Sequence, residues 1–139
     1  MQWDEREHAG FTSGTPWIKV NPNYQDINVK QALADPNSIF YYYQKLIRLR
    51  RENPIIVYGI YDLILDDHQE IYAFTRTLED DRLLVILNFT RNNPVFALPD
   101  SVSFSDKELV ISNYAVDPVE DVRLLTLRPY EARVYRLRG

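Results

Sequence analysis

The sequence contains no cysteine, and only 2 histidines and 4 glycines among its 139 residues. Without cysteine there is no disulfide, no thiolate nucleophile and no thiolate metal ligand. His8 and His68 are far apart in the sequence, whereas a metal site needs several convergent ligands. We find no glycine-rich phosphate loop and no HExxH, GxSxG or EF-hand motif. The sequence therefore predicts no cofactor and no metal, and the lack of cysteine fits a cytoplasmic protein.

Long hydrophobic runs are also absent. No apolar run approaches the roughly 18 residues that a membrane helix needs. Residues 1–10 have no basic start followed by an apolar block, so no signal peptide is predicted. The net charge is −4, with both signs mixed along the chain, which argues against nucleic acid or a membrane as a partner. Apolar residues nevertheless make up 45% of the chain, which is enough for a folded core.

The first part of the chain, residues 1–54, reads as an irregular loop followed by one helix. No sustained period is visible up to about Asn28, and the glycines and prolines there indicate loop. A short helical turn is predicted over residues 29–33. The main helix is predicted to have Asp35 as its N-cap and Pro36 as its first residue, and to end at Asn53-Pro54.

This helix carries a continuous apolar face. Its members recur at three- and four-residue steps and are Ile39, Tyr42, Tyr43, Leu46, Ile47 and Leu49. Of the three consecutive tyrosines, we expect Tyr42 and Tyr43 to pack and Tyr41 to be more exposed. A helix with such a face gets most of its stability from packing, yet nothing before it in the sequence looks able to cover it.

After Pro54 the hydrophobic period changes to two, which is typical of strands. We predict strands over residues 56–65, 70–78, 82–90, 94–98, 107–113, 122–127 and 132–137. Residues 83–89, LLVILNF, are apolar on both faces and should form a central, covered strand. The predicted fold is therefore mainly β: a C-terminal antiparallel β-sandwich of Greek-key type over residues 55–139, preceded by the irregular loop and the helix.

Several polar motifs have both a chemical and a structural interpretation. Residues 66–69, DDHQ, could hold a hard cation, but their composition is also that of a hairpin turn, and the same holds for Glu79-Asp80-Asp81. Asn88-Phe89-Thr90 fits a glycosylation acceptor, yet it lies in a predicted core strand. We interpret all three as structural.

Near the start of the chain, acidic residues and histidine cluster. Asp4, Glu5, Glu7 and His8 could do general acid–base work, but a loop offers neither the rigid placement nor the split pKa values that this needs. We therefore assign no catalytic residue. Trp3, Phe11 and Trp17 could stack on sugar rings or anchor the loop to a core, and anchoring is favoured.

The order of the longer motifs resembles a known family. These motifs are MQWD, AGF, TPWIKVNPNY, INVKQALADPNSIF, YYQKLIRLRRENP, IYAFTRTL, LLVILNFT and LRPYEARVYRL. Together they resemble the α-glucosidases of glycoside hydrolase family 13, above all the oligo-1,6-glucosidase group with dextran glucosidase and trehalose-6-phosphate hydrolase. The resemblance extends over essentially the whole chain.

This resemblance implies a position for each part of the chain. Family members carry a (β/α)8 catalytic barrel followed by an antiparallel β-sandwich. Residues 1–24 resemble the loop after the eighth barrel strand, residues 35–53 the eighth barrel helix, and residues 55–139 the sandwich. Residues 1–54 would then be a remnant of the catalytic barrel and residues 55–139 a separate all-β domain.

The resemblance also implies the chemistry. Family members hydrolyse α-glucosidic bonds with retention, using an aspartate nucleophile and a glutamate acid/base about 5–5.5 Å apart. None of these carboxylates maps onto this sequence, nor do the calcium ligands of some members. The expectation is a non-catalytic part of an α-1,6-glucosidase, with the missing barrel and an oligosaccharide substrate as partners and the sandwich stabilising the barrel. No substrate-binding residue can be assigned.

Three alternatives remain open. The parent enzyme could be a trehalose-6-phosphate hydrolase. The sandwich could be a carbohydrate-binding module, for which Tyr58, Tyr61 and Tyr72 are candidate exposed aromatics, although burial explains them as well. The chain could also be a free-standing interaction protein whose helix docks a partner. In isolation we expect the helix either to fold back onto the sandwich or to pair with a second copy.

Overall fold

The computed structural model describes residues 1–117 and 119–139. The chain forms two compact units, Met1–Leu49 and Arg50–Gly139. Among the described residues, the longest helix has 14 residues, and none is long and apolar enough to cross a membrane. Helices are confined to the first part of the chain and to one turn just after Pro54, and strands follow, as the change of period predicts.

The first unit is mostly irregular and is shaped by local hydrogen bonds. Short 3-10 turns form at Glu7–Gly10 and Pro22–Gln25. Helix α1 spans Val29–Ala34, which confirms the predicted short turn. The side chain of Asn28 caps α1 by accepting a hydrogen bond from the backbone N–H of Gln31 at 2.9 Å.

Helix α2 spans Ile39–Glu52, so its predicted end is confirmed but its predicted start at Asp35 and Pro36 is wrong. Asp35 instead terminates α1, donating its backbone N–H to the carbonyl of Gln31. Its carboxylate accepts a hydrogen bond from the N–H of Asn37, and the Ser38 hydroxyl donates to the carbonyl of Ala32. The polar residues thus build a turn between two helices rather than the first turn of one.

Very little of the first unit is buried. Of residues 1–49, only Ala9 and Asn28 are buried, and helix α2 has no buried residue at all. Tyr43 is 63% exposed, so the prediction that it packs is wrong, whereas Tyr42 is half-buried. Tyr41, expected to be the more exposed, is half-buried and donates its hydroxyl to the carbonyl of Leu33. This unit therefore lacks an apolar core of its own.

The second unit begins with a helical turn, not with a strand. Helix α3 spans Ile55–Tyr58, within the stretch predicted as strand from residue 56. Pro54 adopts helical dihedral angles, φ −53° and ψ −31°, and its carbonyl accepts from the N–H groups of Val57 and Tyr58. Strand β1 therefore starts only at Ile60.

The strands after β1 lie where the period of two predicts them, and none of their ends is shifted by more than two residues. Over residues 1–117 and 119–139 the strands are β1 Ile60–Leu63, β2 Ile71–Leu78, β3 Asp81–Asn88, β4 Val95–Ala97, β5 Asp106–Ser112, β6 Leu124–Thr126 and β7 Ala132–Arg138. They form an antiparallel five-stranded sheet in the order β1-β2-β3-β7-β5 and an antiparallel pair of β4 with β6.

Strand β3 is the central strand of the larger sheet, as the LLVILNF run predicts. Leu84 and Ile86 on its inner face are fully buried. They belong to one apolar cluster that also contains Phe96 from β4 and Leu125 from β6. The two sheets therefore enclose a common core, which is the two-layered arrangement expected of a sandwich.

A buried ion network closes one end of this core. Glu131 is fully buried and accepts hydrogen bonds from Arg128 at 2.8 Å and from Arg133 at 2.9 Å. Arg133, 3% exposed, also pairs with Glu120 at 2.6 Å and donates to the hydroxyl of Tyr135 at 3.2 Å. Burial by itself raises the pKa of Glu131, but the hydrogen bonds from the two arginines outweigh it and lower this pKa to about 2.

We predict that Glu131→Gln lowers the free energy of unfolding of the chain by about 3 kcal/mol or more, because it removes the buried carboxylate that Arg128 and Arg133 share and leaves the buried Arg133 with Glu120 alone. Urea unfolding followed by circular dichroism measures this change. The matched control is Glu108→Gln, which removes an exposed partner of Arg138 and should change stability by less than about 1 kcal/mol. Equal losses for both variants would contradict the assigned role of Glu131.

The same network predicts a pH dependence. The pKa of Glu131 falls from a usual value of 4.5 to about 2 on folding, so its contribution is complete above the unfolded value and is lost as the pH falls through the folded value. Stability should therefore decrease between pH 4.5 and about 2. This decrease should be shallower in Glu131→Gln, as measured by unfolding across that pH range.

Candidate functional site

The acidic residues near the start of the chain are paired with cations rather than with each other. Asp4 forms an ion pair with Arg6 at 2.6 Å and accepts its backbone N–H at 3.0 Å. Glu5 pairs with Lys30 of α1, and Glu7 lies 3.6 Å from the imidazole of His8. Asp4 and Glu5 thus each have their own cationic neighbour.

This pairing does not favour acid–base chemistry. The hydrogen bond from Arg6 lowers the pKa of Asp4, and the hydrogen bond from Lys30 lowers the pKa of Glu5. A general acid at neutral pH needs a raised pKa. The two carboxylates therefore remain ionised, and their geometry supports a structural role in holding the loop.

The loop is held in an unusual backbone conformation just after these carboxylates. His8, Ala9 and Gly10 have consecutive positive φ angles of 56°, 57° and 67°, which is costly for residues other than glycine. The carbonyl of Ala9 accepts from the N–H groups of Trp3 and Asp4, so the turn folds back onto the start of the segment. A Cβ at Gly10 would lie 2.4 Å from the Asp4 carboxylate, so a larger residue there would have to displace that carboxylate.

The aromatic residues of this segment do not anchor it within the described residues. Trp3 and Phe11 are about half exposed, and Trp17 is 94% exposed. The expectation that they anchor the loop is therefore wrong for this chain. The loop depends on its backbone hydrogen bonds and ion pairs, and its large rings are left available for contacts outside the described residues.

The two turn motifs of the β unit are structural. The Nδ1 atom of His68 accepts hydrogen bonds from the N–H groups of Glu70 and Ile71, so the imidazole closes the connection between β1 and β2. Glu79 and Asp80 form the tight turn between β2 and β3, where Glu79 has φ 54°. Within residues 1–117 and 119–139, no group of three or more acidic or histidine residues is arranged to hold a metal ion.

Asn88, the acceptor residue of the glycosylation motif, also uses its side chain in structural contacts. Asn88 is 4% exposed, and its amide donates to the carbonyls of Asn92 and Arg128 at 2.9 and 2.8 Å. Its carbonyl oxygen accepts from the N–H of Thr90 at 2.9 Å. The side chain is therefore fully engaged in joining two loops at one end of the sandwich.

An aromatic cluster forms on the five-stranded sheet. The hydroxyls of Tyr61 and Tyr72 are 2.8 Å apart, and both rings pack against Phe74 at centroid distances of 5.1 and 5.4 Å. Phe89 lies 6.4 Å from Tyr72. Tyr58, the third candidate from the sequence, is 74% exposed, and no ring contact to this cluster is seen for it within the described residues.

Sequence reasoning named two members of this cluster but missed Phe74 and Phe89. The alternation of Tyr72 and Phe74 along β2 places both rings on one face, so this signal was available in the sequence. The position of Phe89 follows only from the register of β2 with β3.

Two family models match consecutive parts of the chain. The model of the α-amylase catalytic domain matches residues 1–59, and the model of the C-terminal domain of the α-amylase SusG matches residues 71–134. The boundary between them lies just after α3.

Individual relatives match almost the whole chain. It is 61% identical over 138 residues to an oligo-1,6-glucosidase of Parageobacillus thermoglucosidasius and 45% identical over 139 residues to a trehalose-6-phosphate hydrolase of Bacillus subtilis. The crystal structure of Bacillus licheniformis trehalose-6-phosphate hydrolase is similar, with a TM-score of 0.93 and 48% identity over 99% of this chain. The chain spans about a quarter of the length of these relatives: 25%, 24% and 25% respectively.

Fold and sequence together make the chain similar to one part of the α-amylase class of proteins, the end of its catalytic domain followed by its C-terminal domain. It belongs to glycoside hydrolase family 13 and is similar to the C-terminal part of enzymes of the oligo-1,6-glucosidase group.

We predict that Gly10→Ala opens the turn at residues 8–10, because the added methyl group would meet the Asp4 carboxylate at 2.4 Å. Hydrogen exchange of the Trp3 and Asp4 amides, which donate to Ala9, should become faster. Gly14→Ala is the matched control, since the nearest atom to its Cβ lies 3.7 Å away. Unchanged exchange in Gly10→Ala would show that the turn does not depend on this close contact.

Proposed function

We propose that this chain is the C-terminal portion of an enzyme that hydrolyses α-1,6-glucosidic bonds of isomalto-oligosaccharides or dextran ends with retention. The observation that carries the proposal is the 61% identity to an oligo-1,6-glucosidase over 138 residues, which make up only 25% of that enzyme. In this proposal residues 1–54 are the last loop and last helix of the catalytic barrel, and residues 55–139 are an all-β domain that stabilises it.

The burial pattern supports this division. A unit of 49 residues with two buried residues gains little apolar burial to offset the entropy of ordering its backbone. The apolar face of α2 is exposed, with Ile39 at 85% and Ile47 at 51%. Such a face needs a partner, and the matched catalytic-domain model makes the rest of a barrel the natural one.

The chemistry in this proposal belongs to residues outside the chain. A retaining glycosidase needs two carboxyl groups about 5–5.5 Å apart, one of them with a raised pKa. Within the matched catalytic segment, residues 1–59, Asp4 and Glu5 are instead paired with cations and have lowered pKa values. We therefore propose that the chain alone does not hydrolyse glucosides.

Two of the relatives have names that point to different substrates. The identity to an oligo-1,6-glucosidase is 61%, against 45% to a trehalose-6-phosphate hydrolase. We propose the α-1,6-glucosidic bond on this difference, with trehalose 6-phosphate as the alternative. A cytoplasmic location is part of the same proposal and rests on the lack of cysteine.

The enzyme encoded by the complete reading frame around this sequence is expected to hydrolyse isomaltose and not trehalose 6-phosphate. Steady-state hydrolysis of both substrates by the purified enzyme tests this. Faster hydrolysis of trehalose 6-phosphate would select the alternative, and no hydrolysis of either would contradict both.

A fusion tests the structural part of the proposal. The first three quarters of the Parageobacillus thermoglucosidasius enzyme, joined to this chain in place of its own last quarter, should hydrolyse isomaltose. This chain by itself and the first three quarters by themselves should both be inactive on isomaltose. Hydrolysis by the isolated chain would contradict the proposal, as would an inactive fusion alongside an active unmodified enzyme.

In isolation, we propose that the exposed face of α2 pairs with a second copy. Sedimentation of the chain should show a dimer that dissociates in the double variant Ile39→Lys, Ile47→Lys. Gln44→Lys is the control for each of the two substitutions, because it adds one positive charge at an exposed polar position of the same helix. A monomer with the unmodified sequence would contradict this pairing.

A further inference from the structure

Two arginines lie on the inner face of the five-stranded sheet, one towards each end of the core. Arg133 stands opposite Ile86 of β3. Arg82 stands opposite Leu137 of β7. Both of these partners belong to the apolar cluster between the two sheets. Positions that face the interior of a sandwich are normally apolar, so each arginine needs a physical explanation.

The fold compensates one of these arginines and not the other. Arg133 is 3% exposed, and the carboxylates of Glu131 and Glu120 balance its charge. Arg82 is half-buried, and its guanidinium has no hydrogen bond or ion pair within residues 1–117 and 119–139. Thr77, which stands opposite Arg82 on β2, is also half-buried, and its hydroxyl has no partner among the described residues. This end of the sandwich thus holds polar groups that the chain itself does not satisfy.

These groups open into a cleft of about 540 Å³, which falls in the range of roughly 300–1,000 Å³ that is typical of small-molecule sites. The cleft is formed by the turn between β2 and β3, by the adjoining ends of β2, β3 and β7, and by the loop before β5. Its polar lining consists of Thr77, Glu79, Asp80, Arg82, Ser103 and Arg138. Leu137, at the edge of the core, adds an apolar side chain.

The charges of the lining restrict the kind of ligand. Arg82 supplies hydrogen-bond donors, Glu79 and Asp80 supply acceptors, and the hydroxyl of Ser103 can do both. A small anion would be repelled by the two carboxylates, and a cation would be repelled by Arg82 and Arg138. A neutral ligand with several hydroxyls avoids both penalties, because each hydroxyl can accept from a guanidinium and donate to a carboxylate. Sugars are ligands of this kind.

We propose that this cleft binds glucosyl units of an isomalto-oligosaccharide or dextran chain, so that the β unit itself holds the glucan. Neighbouring sugar hydroxyls accept from Arg82 and donate to Glu79, and the hydroxyls of Thr77 and Ser103 complete the contacts. The choice of a sugar rests on the cleft, whereas the choice of an α-1,6-linked glucan rests on the proposed function.

The aromatic cluster on the other face of the sheet is a less suitable sugar site. The rings of Tyr61 and Tyr72 are tilted by 40° and 52° to the ring of Phe74, so they share no plane on which a sugar could stack. Their hydroxyls are 2.8 Å apart and bond each other. The cleft, in contrast, offers donors and acceptors that are not used within the described residues.

Titration of the ¹⁵N-labelled chain with isomaltotriose tests the proposal. The amide signals of residues 77–82, 103 and 137–139 should shift. Arg82→Gln should weaken this binding by about tenfold or more, the loss expected for a hydrogen bond from a charged group. Arg91→Gln is the matched control, because it removes the same charge from an exposed arginine in the loop that follows β3, at the opposite end of the sandwich. It should bind isomaltotriose like the unmodified chain.

A second variant keeps the test decisive if Arg82→Gln disturbs folding. Ser103 is exposed in a loop, so Ser103→Ala should leave the urea midpoint of the chain unchanged. It should nevertheless weaken the binding of isomaltotriose, because it removes a hydroxyl that lines the cleft. Unchanged binding in Ser103→Ala and in a folded Arg82→Gln would overturn the proposal.

Other ligands and other sites give their own signals. Shifts confined to the residues around Tyr61 and Tyr72, or no shifts at all, would also overturn the proposal. Inorganic phosphate that shifts the cleft residues when isomaltotriose does not would replace the sugar site with an anion site. The proposed function is tested separately, since it fails when the fusion described above does not hydrolyse isomaltose, whatever the isolated chain binds.

Discussion

The pairing of β3 with β2 on one side and β7 on the other is the contact on which the β unit depends. Because β3 is apolar on both faces, the sheet built around it needs a layer on each side. The inner side is covered by β4 and β6, whose Phe96 and Leu125 complete the core. On the outer side, α3 covers part of the sheet, while Phe89 and Tyr72 are exposed. A single strand thus explains both the sandwich and the remaining apolar surface.

The sequence was sufficient to predict where the strands of the described residues lie along the chain, because their alternation is local information. It did not predict their order within the sheets. The prediction from sequence was wrong where the local preference of a residue conflicts with its tertiary contacts. Asp35-Pro36 is a good helix start by residue type, yet the backbone N–H and carboxylate of Asp35 are used to end α1 and form the following turn. Residues 55–58 are β-branched or aromatic, yet they are helical, because Pro54 starts a turn and Ile55 is buried against the sheet. Tertiary contacts decided both cases.

The sequence was enough to tell which candidate motifs are structural, but it did not predict the contacts that their side chains make. Composition alone indicated that residues 66–69 and 79–81 are turns, and the contacts of His68 agree with this. The partners of Asp4 and Glu5 could not be predicted, because Lys30 is 25 residues from Glu5 in the sequence. The aromatic cluster needed the register of three strands, and a shift of one residue would move half of its rings to the other face.

The position of Asn88 has a practical consequence for producing the protein. Asn88-Phe89-Thr90 is an acceptor sequence for N-linked glycans, and a eukaryotic secretory host attaches such glycans to chains that have not yet folded. A glycan on this side chain would displace the amide from the carbonyls of Asn92 and Arg128, which it joins at one end of the sandwich. Export through such a host would therefore trap the β unit before its final strands could assemble, whereas bacterial expression avoids the conflict.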